Sequence, residues 1–204
     1  NANVIRHLNE VVAEYEPKVG RENILIYPVG RKVADAVKKM EGLTAAGDYQ
    51  HMSGKPNYQE AADLAAELMT RFASGEIQQV ELLYNHFKST SSQVLTRETY
   101  LPLDLSAGHA DEKGEEQETM QADYLIEPSP EQVMEELLPK VLRMKMYTVL
   151  LDSTASEHAA RTMAMQIATD NANDLIQELT LIYNKSRQQA ITNELLDIVG
   201  GSMS

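Results

Sequence analysis

From Ser129 onward the sequence leaves little room for anything but helix. After Pro130 no glycine occurs until Gly200, and Pro139 is the only further proline. These two residues are the strongest local breakers of regular structure, so about 70 residues nearly free of them read as one long helix. Ser129, Pro130 and Gln132 supply its start, as N-cap, first-turn proline and third-position partner. Pro139 is expected to kink or break it, because the ring removes a hydrogen bond and crowds the preceding turn. At 1.5 Å per residue such a helix reaches roughly 100 Å, more than the rest of a 204-residue chain can cover. Within it Met165, Ala168, Ala172, Leu175, Leu179 and Ile182 keep the three- and four-residue spacing of a coiled-coil seam. Further on the same line reads Ser186, Gln189, Asn193 and only then Leu196. A thin seam that turns polar suits contact with a wet or moving surface. Pairing with one fixed partner helix fits the same pattern equally well.

Before Ser129 the signals alternate. Residues 3–15 place Val4, Ile5, Leu8, Val11 and Val12 on one helical face, with no capping sequence ahead of them. Residues 22–29 form a short apolar run ending at Gly30, which suits a buried strand, and residues 31–40 return to helical spacing. Residues 42–56 carry three glycines and a proline without periodicity and read as a loop. Asn57 and Glu60 form a capping box opening the next helix, which Gly75 is placed to end. Residues 78–86 and 93–100 read as strands, and the short separator 87–92 implies an antiparallel hairpin. Residues 104–118 hold six acids against Lys113 and read as an acidic loop. Residues 123–127 read as a last strand closed by Pro128. The expected architecture is α/β: a Rossmann-like small sheet with flanking helices over residues 1–128, followed by a long coiled-coil-type helix over 129–204.

Charge and composition narrow the function. A formal net charge of −13 argues against unaided binding to nucleic acid or to an anionic bilayer, both of which need clustered cations. With no cysteine, thiol chemistry and thiolate metal cages are ruled out. No apolar run approaches the roughly 18–20 residues needed to span a bilayer, so direct membrane insertion is not expected. Gly42 and Gly47 have the glycine spacing of a phosphate-binding loop, but Asp48 stands at the lysine position and would repel phosphate. Gly30, Arg31 and Lys32 are weak evidence for an anion site. The histidines His7, His51, His86, His109 and His158 are scattered, with no metal-ligand spacing. Asp152, Glu157 and Asp170 on the long helix read as solvating carboxylates. No cofactor, metal site or catalytic residue is expected.

The long helix also carries a specific resemblance. Residues 156–165 (SEHAARTMAM), 168–172 (ATDNA) and 181–188 (LIYNKSRQ) resemble the C-terminal helix of the gamma subunit of F-type ATP synthase. Ile191, Thr192, Glu194, Asp197 and Gly201 fit that family's terminal signature, with Ser202 where the family generally has alanine. The match is dense over about 45 residues and looser through the α/β region, where it includes residues 3–5 and 26–32. The family's N-terminal helix, antiparallel partner of the C-terminal one, and its first strand have no counterpart before Asn1, so the chain is expected to be truncated there and the seam from Met165 to Ile182 to be left bare. The resemblance implies a non-catalytic rotary shaft that couples proton flow to ATP synthesis or hydrolysis. It further implies alpha and beta subunits, an epsilon subunit and the membrane c-ring as partners. The location it implies is the cytoplasmic face of the bacterial inner membrane, reached through the complex. Arg161, Arg187, Gln188, Thr192 and Glu194 match positions where the family's shaft meets the beta subunits. Leu195, Leu196, Ile198 and Val199 would form an apolar tip in a hydrophobic bearing. From the residues alone, two other readings stand: a static scaffold docking one partner through its helix, and a doubly wound nucleotide-binding enzyme.

Overall fold

The computed structural model describes residues 2–103 and 127–202. The acidic loop expected at 104–118 and, save for Glu127, the strand expected at 123–127 lie outside the described residues. The first helix, α1 (Ala2–Val19), runs past the expected residue 15 and through Pro17, and Val12 on its apolar face is buried. Arg97 fastens α1 to the hairpin described below. Its guanidinium takes both carboxylate oxygens of Glu81, at 2.9 and 3.1 Å, and reaches Glu14 of α1 at 2.7 Å.

Strand β1 (Leu25–Ile26) precedes α2 (Arg31–Val37) and pairs in parallel with β2 (Thr44–Ala45), while a single parallel bridge joins Val29 to Tyr49. Residues 42–56 are therefore not the plain loop that their composition predicts, since they hold β2 and a 3-10 turn, Gln50–Ser53. A strand of two residues is too short to display an alternating pattern. Gly30, at φ +98°, enters α2 where a side chain would meet Ser53 Cβ at 3.3 Å, so the crowded turn suits glycine.

Helix α3 (Tyr58–Ala73) is capped as expected by Asn57, whose Oδ1 accepts from the Gln59 amide at 2.8 Å. Glu60 does not complete a capping box; its carboxylate lies 3.0 Å from His51 Nε2. Gly75, at φ +77°, ends the helix, its amide bonding the Phe72 carbonyl at 3.0 Å. Strands β3 (Val80–Ser89) and β4 (Ser92–Leu101) form the expected antiparallel hairpin. Their separator is shorter than predicted, because backbone pairing continues past Phe87 through a bulge and leaves only two residues in the turn.

The long helix is continuous. Helix α4 (Pro130–Ser202) starts where the sequence predicts, with Ser129 Oγ accepting from the Gln132 amide at 3.3 Å. It runs unbroken through Pro139, so of the expected kink or break no break occurs. The reason is tertiary. Leu142, Met146 and Leu150, just beyond the proline, are buried in one core with Met52, Leu64, Leu68 and Tyr100. Each such side chain contributes about 1.5–3 kcal/mol on burial, together more than the roughly 3 kcal/mol that an interior proline costs. Packing divides the chain inside α4, into Asn1–His158 and Ala159–Ser204, whereas 128/129 marks where the helix begins. No described helix is long and apolar enough to cross a membrane.

Candidate interaction surface

In the unit Ala159–Ser204, Ala159 is buried and Asn184 half-buried, and the other described side chains are exposed. Along the predicted seam Met165, Leu175, Leu179 and Ile182 are 56%, 55%, 54% and 56% exposed. A line of large apolar side chains standing in water marks a surface for a partner that the described residues do not supply. Its polar groups are in part satisfied internally. The hydroxyls of Thr169, Thr180 and Thr192 donate to the carbonyls of Met165, Ile176 and Gln188, at 2.9, 2.7 and 2.8 Å.

All the predicted contact residues lie on α4 and are exposed. At about 100° per residue, Arg187, Glu194 and Ile198 share one line along the helix. Gln188, Thr192 and Val199 share a second, about 120° around from the first. Arg161 is not brought close to either, lying roughly 40 Å lower along the axis. Because the Thr192 hydroxyl proton is engaged with the Gln188 carbonyl, that side chain faces outward as an acceptor.

One polar cluster escapes sequence reasoning. Asp152, read above as a solvating carboxylate, and His86, read as one of the scattered histidines, meet across 66 positions of sequence, carboxylate to Nδ1. No short-range motif signals such a pair. Asp170, in contrast, accepts from its helical neighbour Gln166 at 3.0 Å. Among the described residues no group of three or more His, Asp or Glu could hold a metal ion. A groove of about 180 Å³ beside Tyr100, Leu103, Val141 and Leu142 holds the Lys145–Glu98 ion pair at 3.0 Å. It is smaller than the roughly 300–1,000 Å³ of ordinary small-molecule sites. The buried Tyr84 and Tyr100 phenols are pushed up to about 12 by loss of solvation, Tyr84 with a further push from Glu98, so both are neutral near pH 7.

A small α/β unit whose sequence continues as a long helix, its apolar line uncovered among the described residues, defines an α/β protein with a coiled-coil-type helix. The comparisons with known proteins agree. The chain matches the ATP synthase family over residues 1–204. It is 69% identical over 204 residues to the ATP synthase gamma chain of Phocaeicola vulgatus, covering all of this chain and 68% of that one. It is 58% identical to the gamma chain of Bacteroides fragilis, covering all of this chain and 69% of that one. A chain in the cryo-EM structure of Euglena gracilis mitochondrial ATP synthase (OSCP/F1/c-ring, rotational state 3) shares the fold. The TM-score is 0.50 at 23% identity, over 96% of this chain and 67% of that one. The chain belongs to the ATP synthase gamma-chain family. The gamma chain is the central rotary shaft of that membrane-associated enzyme complex, and this chain spans about two thirds of the length of the relatives named.

Proposed function

We propose that this chain makes and breaks no bonds itself and transmits torque, coupling proton flow to ATP synthesis or hydrolysis in a surrounding ring of alpha and beta subunits. The observation that carries this reading is the unbroken helix Pro130–Ser202, on which Arg161, Arg187, Gln188, Thr192, Glu194, Ile198 and Val199 are all exposed. An axle must present its faces in turn to equivalent neighbours, and deep complementarity to any one of them would trap it. Small and polar side chains between the apolar ones keep each contact shallow. The two lines about 120° apart suit a three-fold ring, because a third of a turn carries Gln188, Thr192 and Val199 to where Arg187, Glu194 and Ile198 stood. In this reading Arg161 and Arg187 attract acidic segments of the beta subunits, Gln188, Thr192 and Glu194 exchange hydrogen bonds with them, and Ile198 and Val199 sit in an apolar bearing.

Residues 1–128 then serve as the foot, meeting the epsilon subunit and the c-ring, and 129–204 as the shaft. The nucleotides bind to the ring and not to this chain, which needs no cofactor. The complex holds it at the cytoplasmic face of a bacterial inner membrane. The test is reconstitution: the full-length subunit restores ATPase activity to isolated alpha and beta subunits, while this chain alone hydrolyses no ATP. Nucleotide turnover by the purified chain contradicts the proposal.

A further inference from the structure

Within the unit Asn1–His158, the first turns of α4 are held to the rest at two levels. Leu142, Met146 and Leu150 pack in the core, where the Tyr100 phenol also donates to the Leu142 carbonyl at 2.9 Å. Beyond Leu150 a second set of directional contacts follows. Asp152 Oδ1 accepts the Phe87 amide at 2.8 Å, and its other oxygen meets His86 Nδ1. Ser156, one helical turn on and 2% exposed, donates its hydroxyl to the Asn85 carbonyl at 2.8 Å. Asn85 and Phe87 are alternate residues of β3, so these two backbone groups point to the same edge of the strand. Between them in sequence, Thr154 Oγ1 lies 3.4 Å from the Ser53 carbonyl, although its main bond is to Leu150 at 2.8 Å.

We infer that Asp152 and Ser156 form a clasp that stops α4 rolling against the β3 edge and so carries torque between shaft helix and foot. Both are positioning residues. The geometry sets how stiff the clasp is. At about 5–6 Å from the helix axis, a roll of about 20° displaces a side-chain oxygen by about 2 Å, enough to break a hydrogen bond of ordinary length. The Tyr100–Leu142 bond in the core beneath resists the same roll at one point, and Asp152 and Ser156 add to it further along the helix. The inference rests on the shaft reading for its consequence, though not for its geometry.

Two measurements separate these dependencies. In this chain, amide exchange at Phe87 should speed up about tenfold in Asp152→Ala and stay near wild type in Asp152→Asn, which keeps an acceptor oxygen. Unchanged Phe87 exchange in Asp152→Ala overturns the clasp. In the full-length subunit, reconstituted with the whole complex in vesicles, Asp152→Ala with Ser156→Ala should keep ATP hydrolysis within about twofold while protons pumped per ATP fall about threefold or more. Wild-type pumping per ATP in that variant overturns the torque role, as does a loss in Asp152→Asn equal to that in Asp152→Ala. If the wild-type complex itself hydrolyses ATP without pumping, the shaft reading fails, while the exchange measurement still decides the clasp.

Discussion

The Tyr100 phenol donates to the Leu142 carbonyl at 2.9 Å, joining the end of β4 to α4 through the middle of the core. Tyr100→Phe keeps the ring and removes that bond, leaving the carbonyl to its own helix. Urea unfolding should show a loss of about 1 kcal/mol. The same residue sets a pH limit. Burial raises its pKa from an ordinary 10.0 to about 12, so its contribution is complete below about pH 10 and is lost as pH climbs through 12. Between pH 9 and pH 11.5 the wild-type chain should therefore lose more stability than Tyr100→Phe.

Pro139 lies inside a helix that continues regardless. Pro139→Ala restores an amide donor and removes the clash with the preceding turn, so stability should rise by about 1–3 kcal/mol. Thermal melting checks this. A fall in melting temperature would mean that the ring itself fills a needed space.

Arg97 joins α1 to the hairpin by a two-pronged contact to Glu81 and a third contact to Glu14. A lysine ammonium cannot reproduce that fork. Amide exchange across α1 should accelerate in Arg97→Lys nearly as much as in Arg97→Ala, with β3 and β4 remaining protected.

These three positions also illustrate what could be read ahead of the structure. Local signals were dependable: Ser129 and Pro130 start α4, Gly75 ends α3, and a short separator makes β3 and β4 antiparallel. Distant packing was not legible. Nothing near Pro139 in sequence reveals that Tyr100 and Leu68 bury the helix just beyond it. Strand β2 has two residues, too few for any pattern, and Asp152 finds His86 and Phe87 only once the hairpin folds against α4. Of the interaction surface, the helical line from Met165 to Ile182 was legible as spacing, and its exposure needed the structure. The engagement of the Thr192 hydroxyl with its own helix was likewise not legible.

Leu175 and Leu179 stand one turn apart, each more than half exposed. A surface left uncovered by the described residues can be altered without unfolding them. Leu175→Glu with Leu179→Glu should change the stability of the unit Asn1–His158 by less than about 0.5 kcal/mol. In the full-length subunit the same pair should abolish co-elution with alpha and beta subunits. Normal assembly by that variant would place the working surface elsewhere.

Rotation is the most direct test. With the alpha and beta ring of a reconstituted complex anchored to glass and a bead attached to the foot of the full-length subunit, ATP should drive one-directional turning in steps of about 120°. A bead that only fluctuates about a fixed angle while ATP is hydrolysed would contradict the account and identify the helix as a static strut.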